Sequence, residues 1–117
     1  MYAGAVLLLG VNMIGESQAD DVSAREIDAL ISKVGASACL FERNGSQYAA
    51  TSAADHLRLK YRRGRRYIAS AEEFIDRLAS RSSLSGKAYL IICPGSGEHT
   101  VNRWLHRALE EQRAAGG

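Results

Sequence analysis

The chain has one proline, Pro94, in 117 residues. Helices and strands can therefore run without the breaks that proline imposes, and a proline-rich linker or polyproline ligand is excluded. Cysteine is scarce as well: two residues, Cys39 and Cys93, with no C-x-x-C spacing, which excludes a zinc ribbon or a thioredoxin-like redox motif. No run of 18 apolar residues exists, so no segment reads as a membrane span. Charge of one sign is lacking too. Fifteen Lys and Arg stand against 13 Asp and Glu, a mild excess without the footprint of a nucleic-acid binder. The catalytic signatures are missing in the same way: no G-x-S-x-G elbow, no H-x-x-x-H pair and no two carboxylates spaced for glycosidase chemistry.

What remains is an ordinary globular composition, 46% hydrophobic and 24% charged, which argues against disorder and suits one domain. The first 19 residues stand apart. Ala3–Val11 is uncharged and apolar, and Ser17-Gln18-Ala19 has small residues at the −3 and −1 positions of a cleavage site. Signal peptidase requires this pattern because its pocket admits only short side chains. No Lys or Arg precedes the run, the one part of the pattern not met. We expect 1–19 to be a signal peptide and 20–117 a single α+β domain, periplasmic or secreted. In an oxidising compartment two cysteines suggest a disulfide. A Cys39–Cys93 bridge would close a loop of about 55 residues, worth roughly 4 kcal/mol by chain entropy. The cytosolic alternative is a pair of buried thiols.

Periodicity sets out the elements of that domain. A first helix is expected from the cap Ser23, with Glu26 three residues on as a capping box and Val22 and Ile27 as a hydrophobic staple. Ile27, Leu30, Ile31 and Val34 form its apolar stripe, and Gly35 its stop. Cys39–Glu42 and Gln47–Ala49 read as strands joined by Asn44-Gly45, the dipeptide that accepts positive φ at both turn positions. A second helix, from Thr51 or Ser52 to Gly64, carries the basic run Arg58 to Arg66. A third starts at Ser70 with Glu73 completing another capping box, and Phe74, Ile75, Leu78 and Ala79 follow as its stripe. Ala88–Cys93 is apolar on both faces and reads as a central strand, Pro94–Gly97 as a turn, and Thr100–Arg113 as the last helix. The fold class is α+β, four helices packed on a small, mostly antiparallel sheet.

Four of the six residues from Ser80 to Ser85 are serine, between a helix and a strand. His56 and Lys60 are four apart and share a helix face, and Arg43 sits at the hairpin turn. Together with Ser82, Ser83, Ser85 and Lys87 they form a candidate ligand site. Such a donor-rich cationic pocket suits a carboxylate or phosphate, since Lys and Arg supply charge and serines supply directed hydrogen bonds. The plainer alternative has the serines capping chain ends in the turn and His56 bonding a loop carbonyl. The basic run reads as a solvated helix face. Ser96 and His99 lack an acid to orient the histidine, and a metal site would need Cys39, Cys93, His99 and His106 to converge. No catalytic residue, metal or cofactor is implied.

Several stretches carry a family likeness. FERNG at Phe41–Gly45, HLRLK at His56–Lys60, AEEFID at Ala71–Asp76 and ASRSSLSGKAYLI at Ala79–Ile91 occur in an order and spacing that resembles the YfeK-like family of small exported bacterial proteins of unknown function. The resemblance implies export and one compact domain, and it implies no activity. The cysteine pair is not part of it. A shorter stretch, Ser85-Gly86-Lys87-Ala88-Tyr89, is similar to the S-G-x-x-Y loop of the periplasmic lysozyme inhibitors, which are β-barrels. The expected function is a non-catalytic binding module for a polar or anionic cell-envelope ligand or protein partner, with a lysozyme-inhibitor-like role as the alternative and a small hydrolase behind it. No nucleic acid and no stable membrane anchor are expected.

Overall fold

The computed structural model describes residues 21–116. The expected leader over 1–19 and its cleavage site lie outside them. The described residues form four helices and one four-stranded antiparallel sheet: the α+β fold expected from the sequence.

Helix α1 spans 21–36. It buries Ile27, Leu30, Ile31 and Val34 almost completely, the stripe that helical spacing places on one side. Its start differs from expectation. Asp21 and Val22 are already helical, so Ser23 lies inside the first turn and is no cap; its Oγ donates to the Ala69 carbonyl at 3.3 Å. Glu26 forms no capping box and instead meets Arg113 across the fold. Val22 is 46% exposed and staples nothing. Gly35 does not stop the helix, which runs one residue further. A Cβ there would come 3.3 Å from the Ala54 Cβ, so the glycine serves a close approach between helices.

Strands β1 (Leu40–Arg43) and β2 (Ser46–Ala49) form the hairpin. Asn44 and Gly45 take φ of 52° and 82°, the pair of positive values that matches the turn to the twist of its strands. Helix α2 (Ala50–Gly64) follows β2 directly, without a side-chain cap. Gly64 ends its α geometry, and a 3₁₀ turn continues over Arg65–Tyr67. Helix α3 opens as one α turn, Ala71–Glu73, and runs on in π geometry over Phe74–Ala79. Its cap is as expected: Ser70 Oγ accepts from the Glu73 N–H at 3.2 Å. The Glu73 carboxylate reaches back one residue further than in the standard box, to the Ala69 N–H at 3.0 Å.

Strand β3 (Leu90–Cys93) lies in the sheet interior, in the order β2-β1-β3-β4. Strand β4 (Gly97–Thr100) corrects the reading of this stretch as a turn running into a helix. GEHT has no apolar alternation because it is a short, largely exposed edge strand. Helix α4 (Val101–Gly116) closes the fold and buries Val101, Leu105, Ala108 and Leu109.

The sheet has two unlike faces. Cys39, Phe41, Tyr89 and Ile91 point to the helices and are buried; Leu40, on the opposite face, is 45% exposed. The β1–β3 register pairs Leu40 with Ile92, which sets Cys39 across from Cys93. Their sulfurs are bonded, with Cα atoms 4.3 Å apart. The bridge therefore links neighbouring strands on the buried face.

Candidate functional site

A cavity of about 290 Å³ lies between α2 and the helix-facing side of the hairpin. Strand alternation builds one wall, because Phe41 and Arg43 of β1 share a face with Tyr48 of β2. Helix spacing builds the other from Ser52, Ala53, His56 and Leu57. Tyr89 and Val101 complete the lining, held together by the Val101 N–H donating to the Tyr89 carbonyl at 2.9 Å. Glu42 also borders the cavity, but strand alternation turns its side chain to the other face.

The polar groups gather at one end. Arg43 Nη1 lies 3.1 Å from His56 Nδ1 and 3.2 Å from Nε2, while Arg43 Nη2 donates to Tyr48 Oη at 3.3 Å. The same guanidinium sits 4.9 Å from the centre of the Tyr48 ring. His56 Nε2 is 3.2 Å from Tyr89 Oη. Lys60 Nζ donates to Tyr89 Oη at 3.1 Å and to the Arg81 carbonyl at 3.0 Å. Lys60 does not line the cavity. It stands behind Tyr89 and adds charge to the site through it.

Three basic side chains so close together alter one another. Burial holds the His56 imidazole below its ordinary value, and the charges of Arg43 and Lys60 push the same way. Burial likewise lowers Lys60, with Arg43 contributing, and burial raises the Tyr89 phenol. The His56 ring thus lies between the Arg43 guanidinium, which is close to both ring nitrogens, and the Tyr89 hydroxyl at Nε2. Among the described residues no carboxylate forms an ion pair with Arg43, His56 or Lys60. The site offers donors and positive charge without an internal counter-ion.

Of the seven expected ligand residues, Arg43, His56 and Lys60 come together, and the loop residues stand apart from the cavity. Ser82 is buried, and its Oγ accepts from the N–H groups of Leu84 and Ser85 and from Asn44 Nδ2, each at 3.3 Å. Ser85 Oγ donates to Asn44 Oδ1 and accepts from the Lys87 N–H. These two serines tie the loop to the hairpin turn. Ser83 and Lys87 are exposed on the loop, and Leu84 at its tip is 97% exposed. Tyr48 and Tyr89 are site residues the sequence reading missed; a strand register placing Phe41 beside Tyr48 and Ile91 is the signal that finds them.

The remaining candidates resolve differently. His99 Nε2 meets the Ser96 carbonyl at 3.0 Å and not its hydroxyl. The cysteines are taken by the disulfide, and no cluster of metal-ligating side chains occurs among the described residues. Arg58 pairs with Asp55 at 3.3 Å, while Arg62, Arg63, Arg65 and Arg66 are exposed. A second polar cluster joins α3 to α4. Asp76 Oδ1 lies 2.7 Å from His106 Nε2 and accepts from Asn102 Nδ2 at 2.9 Å, and the same amide donates to the buried Ser80 Oγ at 2.8 Å.

Fold and site together define a small α+β protein with a cationic cavity between a hairpin and a helix. The chain belongs to the family of unknown function DUF5329, whose model matches residues 21–113. It is also 49% identical over 49 residues to the uncharacterised protein YfeK of Salmonella typhimurium, a match covering 42% of this chain and 41% of that protein. No solved structure matches the chain.

Proposed function

We propose that the protein is an exported, non-catalytic binding module for an anionic ligand of the cell envelope. The ligand's charged group would sit at the cavity mouth on Arg43 and His56, with Lys60 behind. The observation that carries this reading is that Arg43 and His56 line one cavity, with Lys60 behind Tyr89, and that among the described residues no carboxylate is paired to any of the three. A bound carboxylate or phosphate would supply the missing counter-charge and accept from the guanidinium in charge-assisted bonds. Export is supported by the leader-like sequence and by a disulfide of the kind oxidising compartments sustain. The α+β fold gives no support to the lysozyme-inhibitor-like alternative, which belongs to β-barrels.

Titration with acetate and with inorganic phosphate, followed through the His56 ring resonances, tests the proposal. Binding is expected to move those resonances and to raise the histidine's proton affinity, since an anion favours the charged ring. Arg43→Gln is expected to abolish the response without unfolding the chain. Ring resonances that do not move with either anion at high concentration would overturn the assignment.

A further inference from the structure

The cavity is uneven in a way that the charge alone does not explain. Its polar groups, Arg43, Tyr48, His56 and Tyr89, cluster at one end. The rest of the wall is mostly carbon, Phe41, Ala53, Leu57 and Val101, with Ser52 adding one hydroxyl. Phe41, Leu57 and Val101 are core residues, 6%, 4% and 1% exposed, so this wall is the edge of the hydrophobic core left open beside the charges. A bare inorganic anion would use the mouth and leave the carbon wall unpaired with anything. A sugar or polyol would press hydroxyls against that wall with no partner for them, a cost of about 1–3 kcal/mol for each unsatisfied group. An apolar body would leave water to lie against that wall, gaining about 0.8 kcal/mol for each CH₂ it buries.

We propose that the ligand is a small amphipathic anion, with a carboxylate or phosphate head at Arg43 and a single aliphatic or aromatic body against Phe41, Ala53, Leu57 and Val101. This rests on the anion-binding reading above and narrows it. At about 290 Å³ the cavity stands at the small end of small-molecule sites, which fits one short chain or one ring and excludes a two-chain lipid lying wholly inside.

Calorimetric titration with a series of straight-chain carboxylates, acetate through decanoate, tests the idea, with inorganic phosphate, octyl phosphate and octanol as companions. Affinity is expected to rise about fourfold for each added CH₂ until the cavity is full and then to level off. Ala53→Leu, which narrows the cavity, is expected to flatten that rise while leaving acetate binding in place; an unchanged melting temperature shows that the variant is folded. Octyl phosphate tighter than octanoate assigns a phosphate head, and the reverse a carboxylate. Acetate and octanoate binding alike would overturn the amphipathic ligand and leave the anion site standing. Octanol binding as tightly as octanoate would overturn the anion site itself, and this proposal with it.

Discussion

At Ser82 one buried hydroxyl accepts from two backbone N–H groups of its own loop and from the amide of Asn44. Ser82→Ala leaves those donors without their acceptor and is expected to cost about 1–3 kcal/mol, read as a lower urea midpoint, with acetate affinity unchanged because the loop does not line the cavity. His56 makes a prediction in pH. Folded, it holds its proton less tightly than its ordinary value of 6.5. Just below that value the unfolded chain therefore binds more protons, so stability falls as pH drops through that window. His56→Gln is expected to remove this slope from urea midpoints measured across it, and saturating acetate is expected to oppose it in the native protein. A slope that survives the substitution assigns the effect to other groups. Residues at this scale were partly legible. His56 and Lys60 are four apart on a helix, and Arg43 precedes a turn that Asn44-Gly45 announces. Tyr48 and Tyr89 were not, because which aromatic faces the cavity depends on strand register, a property of pairs of strands.

Among the elements, the end of α4 is tied to both α1 and α3 by the side chain of Arg113. Arg113 bonds both oxygens of Glu26 on α1, at 2.8 and 2.9 Å, and both of Glu72 on α3, at 2.7 and 3.0 Å. The hydrogen bonds from Arg113 hold the Glu72 carboxyl down at about 2, from an ordinary 4.5. A carboxylate with a depressed folded value stabilises above its unfolded value, and that contribution fades as pH falls toward the folded one. The pairs are open to solvent, so Arg113→Gln is expected to cost only about 1 kcal/mol at neutral pH. It is also expected to flatten the loss of stability between about pH 4.5 and 2. Urea unfolding of both proteins across that range reads both effects. The elements that escaped the sequence did so for physical reasons. Ser23 and Glu26 have the spacing of a capping box, yet the helix starts before them and frees Glu26 for Arg113. Strand β4 is four residues with no apolar pattern, and it exists because β3 offers it an edge. Phe74, Ile75 and Ala79 are buried as expected, while the π winding between them leaves no mark in the spacing.

For the whole molecule, the Cys39–Cys93 bridge spans 54 residues of sequence, which removes about 4 kcal/mol of chain freedom from the unfolded state. A small domain has about 5–15 kcal/mol in all. Replacing both cysteines by serine is thus expected to bring the protein near its unfolding limit, seen as a free energy of unfolding lower by about 2–4 kcal/mol. A loss under about 1 kcal/mol would place the stability in the core instead. The bridge was legible because Cys39 immediately precedes one strand and Cys93 ends another, and the antiparallel pairing of the two sets them opposite each other.

The span closed by that bridge includes the loop where Leu84 stands almost wholly in solvent. Exposed loop tips are where proteases nick folded chains. A cut beside Leu84 would fall between the two cysteines, so the halves would stay one covalent body, heavier by a single water and parted only by a reductant. Half of the sheet, β2 and β1, would lie on one piece and the other half, β3 and β4, on the other, still paired along β1 and β3. A chain living among proteases would lose its continuity at that point without losing its shape.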